Sequence, residues 1–329
     1  MTAPNPAAQV ASLVDAAGPR VPELLARVED VLHDAAIGHG PTIGEPADGT
    51  IAAGGKRLRP LLVLLAAGVG TDEPDAERDR DLVRAAAAVE LVHTATLAHD
   101  DVLDASPLRR GHPTVWATHG REMATAVGDL LFSRAFAELT ETGSLESVRA
   151  LSRASSALAE GELLQRSDAW NAEVPLERYL QRCELKTATL FQSACELGAL
   201  HGGGDVEALG AFGRRIGLAF QLLDDVLDVA GPPERTGKPV GTDLLDGTVT
   251  LPLILARERD AALAAEDLRA ITTTDAAAEI CARIAATGAL DAAREQALTM
   301  VAEAKAGLPD VAQRRVLELV ADSVVDRYS

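Results

Sequence analysis

LVRAAAAVELVHTATLAHDDVLD, residues 82–104, carries both the signal that sets the fold class and the signal that sets the chemistry. Its first part is alanine, leucine and valine with polar residues at helical intervals and without Gly or Pro, a pattern that specifies an α-helix. It ends in DDVLD, and the same five residues return at 224–228 within FQLLDDVLDVAG. Carboxylates crowded beside apolar residues repel one another, so each cluster implies a positive partner that the stretch itself lacks.

Outward from this stretch the chain keeps the same character. Alanine and leucine dominate, β-branched runs are scarce, and apolar residues recur at helical spacing to the tail, as in DAAREQALTMVAEAKAGL. The fold class is therefore all-α, with helices of about 15 to 25 residues, ample for a bundle. Loops are expected at GEPADGTIAAGGK (44–56), VGTDEPD (69–75), ASPLRRGHP (105–113), LHGGGD (200–205) and AGPPERTGKPVGTD (230–243). No segment has linker composition, so residues 1–329 read as a single all-helical domain.

The totals exclude several classes. Lys and Arg number 31 against 50 Asp and Glu, a net charge of −19 that repels a nucleic-acid backbone. The longest apolar runs, such as PLLVLLAAGVG at 60–70, fall short of the roughly 20 residues that span a bilayer, so no transmembrane segment is expected. The N-terminus lacks a basic segment followed by an apolar stretch, so the expected location is the cytoplasm. Cys183, Cys195 and Cys281 have no CxxC spacing and read as reduced, partly buried thiols.

Helical geometry sharpens the acidic motifs. Residues four apart share a face, which pairs Asp100 with Asp104 and Asp224 with Asp228, while Asp101 and Asp225 turn partly aside. One such motif alone is ordinarily a solvated helix face. Two copies on separate apolar helices demand more. If the helices face each other, six carboxylates converge, and hard divalent cations with oxygen ligands are the natural compensation. Mg²⁺ binds through one or two carboxylates plus phosphate oxygens, so the implied substrate carries a diphosphate.

Cations for that diphosphate stand near the motifs. GGKRLRP (54–60) supplies Lys56, Arg57 and Arg59, PLRRGHP (107–113) supplies Arg109 and Arg110, LKTATLF supplies Lys186, and TGKPVG supplies Lys238. Each alone reads as a surface cation. Together they form positive islands in a strongly negative chain, suited to a small polyanion.

From GGKRLRP through LVHTATLAHDDVLDASPLRRGHPT, GELLQ, LKTATLF and FQLLDDVLDVAG to GKPVGTDLLDGTVTLP, over residues 54–252, the chain resembles the trans-isoprenyl diphosphate synthases, the polyprenyl synthetase family. The resemblance implies an isoprenoid synthase fold, a large helical bundle around a deep central cavity, usually as a homodimer. It implies condensation of an allylic diphosphate with isopentenyl diphosphate, head to tail, to a linear trans product. Asp100, Asp101, Asp104, Asp224, Asp225 and Asp228 would hold Mg²⁺, three ions with bound diphosphate. Lys56, Arg59, His93 and Arg110 would bind isopentenyl diphosphate. Arg109, Lys186, Thr187, Gln221 and Lys238 would surround the allylic substrate, with Lys186 and Gln221 counted among the catalytic groups. His93, seven residues before Asp100, would otherwise read as a core histidine. His99 would at most orient the aspartates, and Glu162 and Gln165 receive no role.

Two positions depart from the family pattern: Gly247 and Thr248 stand where many relatives have a lysine, and Trp116 replaces a smaller polar residue. Product length is expected to depend on Ala95 and Thr96, one turn below the first motif. Both are small, and Ala88, Val89, Leu91 and Val92 continue without an aromatic, so a product of twenty carbons or more is expected. Met123, Phe132 and Phe136 are candidates for a floor on facing helices. A terpene cyclase of the same fold is disfavoured by only 3% aromatic residues and by the second DDxxD motif. A non-catalytic subunit of a heteromeric synthase is disfavoured by retention of all six aspartates, and head-to-head condensation is disfavoured by the RRG and GGKRLRP elements.

Overall fold

A computed structural model describes residues 6–70, 73–231 and 239–326. The chain is all-α, as expected. Ten helices lead up to the second aspartate motif: α1 (Pro6–Ala16), α2 (Arg20–Ile37), α3 (Pro41–Ala52), α4 (Leu58–Ala66), α5 (Ala76–Leu103), α6 (Val115–Thr140), α7 (Leu145–Ser167), α8 (Leu176–Cys183), α9 (Thr189–Gly202) and α10 (Val206–Ala230). Helices Leu251–Arg259, Thr274–Ala286, Ala289–Ala306 and Arg314–Asp326 account for most of the remainder. The described strands are two-residue pieces, Leu108–Arg109 paired antiparallel with His112–Pro113, which fold the RRG loop back on itself.

Packing divides the chain into two compact units. The first holds the described residues up to Ser155 together with Leu190–Ala211 and Leu308–Val320. At its centre is α5. Asp75 caps the helix by accepting from the Glu77 and Arg78 amides, and Glu77 and Asp79 complement the positive end of the dipole. Ala85 through Val89 are all fully buried, which alanine permits because neighbouring helices can approach closely. Helix α4, the apolar LLVLL run, is buried on every side. The second unit holds Ser156–Thr189, Phe212–Gly307 and the described residues from Ala321. Its core includes Tyr179, Phe212, Leu222 and Leu223.

One expected loop is largely a helix. Residues 41–52 form α3 in spite of Gly44, Pro46 and Gly49. Pro41 sits in the first turn, where its missing N–H costs nothing, and Gly44 lets the helix lie against α2, where a Cβ would stand 3.0 Å from the Ala36 carbonyl oxygen. Tertiary packing overrides the local signal here. All three cysteines are free and buried. Among the described residues no helix is long and apolar enough to cross a membrane.

Candidate active site

Both aspartate motifs lie at the C-terminal ends of their helices, Asp100 and Asp101 in the last turn of α5 with Asp104 as its C-cap, and Asp224 to Asp228 in the last turns of α10. Neither last turn carries a basic residue. Carboxylates at the negative end of a helix dipole are unfavourable, which raises the demand for a cation beyond what spacing alone suggests. In each motif the middle aspartate, Asp101 or Asp225, is buried, whereas Asp104 and Asp224 are exposed and Asp100 and Asp228 lie between. Asp101 and Asp225 thus turn into the protein, where each meets fixed donors.

In the first unit that donor is Arg109, whose Nε and Nη2 lie 2.8 and 2.7 Å from Asp101 Oδ1. The loop bearing Arg109 uses left-handed backbone at Ala105 and Arg110, and Arg57, in GGKRLRP, is also left-handed (φ 49°). Non-glycine residues hold such conformations only where surroundings impose them; Arg57 and Arg110 lie in the two cationic motifs, while Trp170 is left-handed outside them. Arg57 donates to Glu29 and to the buried Glu90, at 2.5 and 3.0 Å. A Cβ on Gly55 would lie 3.2 Å from Arg110 Nη1 and 3.3 Å from Glu90 Oε1, so Arg110 and Glu90 converge on the Gly-Gly turn. Arg59 lies over the Phe191 ring, 4.6 Å from its centroid, with its buried Nε lacking a hydrogen-bond partner. Burial, and then the charges of Arg59, Arg110, Arg109 and Arg57, hold the His93 imidazole well below its ordinary pKa, so it is neutral. Arg59, His93 and Arg110 are therefore brought together, with Lys56 in the turn that precedes Arg59. Asp101, Arg109 and Arg110 also line a cavity of about 720 Å³ bounded by α3 and the start of α6.

In the second unit the donors to Asp225 are neutral. Tyr179 Oη donates to Oδ2 at 2.6 Å and Gln221 Nε2 to Oδ1 at 2.9 Å, while Gln221 Oε1 accepts from the Thr187 hydroxyl at 2.7 Å. Burial pushes the Asp225 carboxyl up to about 6, against the pull of Tyr179, Gln221 and Arg182. Thr187 and Lys186 lie on a π-helical turn, Glu184–Ala188, a local widening that re-aims side chains and recurs at functional sites. Lys186 Nζ lies 2.5 Å from Glu162 Oε2, and Glu162 also receives Arg166 at 2.8 Å. A Cβ on Gly161 would stand 2.7 Å from the Lys186 amide nitrogen, so GELLQ serves close packing through its glycine and charge balance through its glutamate. Asp228 Oδ2 accepts from the Asp243 amide at 3.2 Å. Lys238 lies outside the described residues.

Tyr179 and Glu162 are the residues that sequence reasoning missed as site members. Glu162 sat in a matched motif, but Tyr179 carried no local signal beyond being one of two tyrosines. The departure at Gly247 acquires a reason: it is left-handed (φ 71°), the Trp170 ring fills the space a Cβ would need, and its carbonyl accepts from the Trp170 amide at 2.8 Å. Ala95 is fully buried, Thr96 is partly exposed, and Phe132 stacks on His99 with centroids 5.8 Å apart. Nothing in the structure explains Trp116.

The donor set suits a hard divalent cation, since both motifs offer carboxylate oxygen alone at negative helix ends. Among the described residues no three His, Cys, Asp or Glu side chains form a ready-made cage, which Mg²⁺ bound partly through phosphate and water does not require.

Helical motifs in this order, with these cationic turns, define a diphosphate-handling protein of the polyprenyl synthetase class, and residues 41–286 match the Polyprenyl synthetase family. The chain belongs to that family. It is 40% identical over 271 residues to heptaprenyl diphosphate synthase component 2 of Geobacillus stearothermophilus, covering 82% of each chain. It is 37% identical over 300 residues to a short chain isoprenyl diphosphate synthase of Methanothermobacter thermautotrophicus, covering 87% of this chain and 90% of the relative. Among solved structures, polyprenyl synthase from Caulobacter crescentus, complexed with calcium and isoprenyl diphosphate, aligns over 100% of both chains with a TM-score of 0.87 and 37% identity.

Proposed function

We propose that the protein condenses an allylic prenyl diphosphate with isopentenyl diphosphate, head to tail, to give a linear trans polyprenyl diphosphate of twenty carbons or more. The observation that carries this reading is the pair of aspartate motifs at negative helix ends, the first with Arg109 held against Asp101 and the second with Tyr179 and Gln221 holding Asp225. Asp100, Asp101, Asp104, Asp224, Asp225 and Asp228 would hold Mg²⁺ on the allylic diphosphate, three ions in all. Bound there, Mg²⁺ would stabilise the charge that grows on the diphosphate as the C–O bond breaks.

The chain's own groups do the rest. Arg109, Lys186 and Lys238 would offset the leaving diphosphate, with Thr187 and Gln221 orienting beside it. Lys56, Arg59 and Arg110 would fix isopentenyl diphosphate, and neutral His93 would contribute hydrogen bonding without adding charge. The isopentenyl double bond then attacks the allylic carbon, and the departing diphosphate accepts the proton released, so no side-chain nucleophile is needed. Retention of six aspartates speaks against a non-catalytic subunit, and scarcity of aromatics against a cyclase.

A homodimer in the cytoplasm is part of this reading. The relative named component 2 makes a second, different subunit the specific alternative. The test is incubation of the purified protein with Mg²⁺, labelled isopentenyl diphosphate and allylic primers of several lengths, with sizing of the extracted lipid. Label is expected in products of twenty carbons or more, abolished by EDTA and restored by Mg²⁺. Folded protein that incorporates nothing alone refutes the homomeric reading.

A further inference from the structure

Tyr179 is buried completely, yet its hydroxyl is not spent on a backbone carbonyl. It donates to Asp225 Oδ2 while Gln221 donates to Oδ1, so each carboxylate oxygen has its own donor from a different element, α8 and α10. Rotation about the last bond of an aspartate is broad and roughly two-fold, and donors on both oxygens remove it. An ionised carboxylate offers about four acceptor positions, so two remain for other ligands. The tyrosine is itself held: the Arg182 guanidinium lies 5.2 Å from its ring centroid and donates to the Val249 carbonyl at 2.6 Å.

The first motif does the same job differently. Asp101 is tied by a guanidinium, which orients the carboxylate but offsets its charge. Asp225 is tied by a phenol and an amide, which orient it and leave its charge intact.

We propose that Tyr179 is a positioning residue that presents Asp225 to the catalytic metal. This rests on the reading of Asp225 as a Mg²⁺ ligand. Outer-sphere partners of this kind commonly change metal affinity by about 10- to 100-fold. Tyr179→Phe keeps the ring and its packing against Arg182 and deletes only the donor.

The experiment titrates Mn²⁺ into wild type and Tyr179→Phe in the presence of inorganic diphosphate, reading free Mn²⁺ by electron paramagnetic resonance. Tyr179→Phe is expected to bind Mn²⁺ about tenfold or more weakly. In assays, its lost rate is expected to return at high Mg²⁺ with the KM for isopentenyl diphosphate unchanged. Ile284→Ala, a core truncation in the same unit, controls for stability, because Ile284 is fully buried. A Tyr179→Phe affinity equal to wild type overturns the proposal, as does an equal loss in Ile284→Ala at matched melting temperature. Wild type that binds no Mn²⁺ with diphosphate and incorporates no label overturns the metal-ligand reading as well. An active wild type matched by Tyr179→Phe removes only the role of Tyr179.

Discussion

Arg109 reaches Asp101 through two nitrogens of one guanidinium, both within 2.8 Å of Oδ1, and so locks the loop after the first motif onto the motif itself. Arg109→Lys preserves the charge but cannot preserve the fork. Hydrogen bonds to charged groups contribute about 1.5–3 kcal/mol, so a tenfold or greater fall in kcat is expected from steady-state assays. Wild-type rates in Arg109→Lys would mean that charge alone suffices at this position.

Glu162 holds Lys186 and Arg166 together on the face of α7. Glu162→Gln is expected to raise the KM for the allylic primer by about five- to tenfold, the loss of one charge-assisted bond, while leaving that for isopentenyl diphosphate unchanged. Equal rises in both constants would count against a role at Lys186. Gly161→Ala forces the π-helical turn away from α7 and is expected to lower stability by about 1–3 kcal/mol in thermal melts.

His93 makes stability depend on acid. Burial and the surrounding guanidinium charges hold its folded pKa well below the ordinary imidazole value of 6.5, so the unfolded chain takes up the proton first. The sign follows: its contribution is complete above pH 6.5 and is lost as pH falls toward the folded value. Between pH 7.5 and 5.5 wild type should lose up to about 1.4 kcal/mol more than His93→Gln, measured by urea unfolding at each pH. Parallel pH curves for the two proteins would show that the folded ring takes up its proton over the same pH range as the unfolded chain, and would overturn the depressed value.

Chain length tests the α5 surface. Thr96 is partly exposed and its hydroxyl donates to the His93 carbonyl at 2.7 Å, whereas Ala95 has no exposed surface. Thr96→Phe is therefore expected to shorten the product while the fold is kept. Ala95→Phe is expected to shorten it at a further cost of about 1–3 kcal/mol in stability from overpacking. Chromatography of the extracted lipids reads both, and unchanged distributions in the two variants would move the length determinant elsewhere.

The site was only partly legible in order of residues. Arg59, His93 and Arg110 were readable as a set only through the resemblance to the polyprenyl synthetase family, and the structure brings them together. Helix α3 was not, since Gly44 and Pro46 signal a loop until α2 supplies a surface for them. Glu162 and Tyr179 pair with residues 24 and 46 positions away, beyond the reach of any local pattern.

From sequence alone came the all-α class, the acid pairs four residues apart, and the demand for a cation, because helix propensity and periodicity are properties of neighbouring residues. Tertiary structure alone decided which aspartate of each motif is buried, which donors hold it, and that His93 is neutral. Those depend on desolvation and on charges contributed by distant segments, which exist only once the chain has packed.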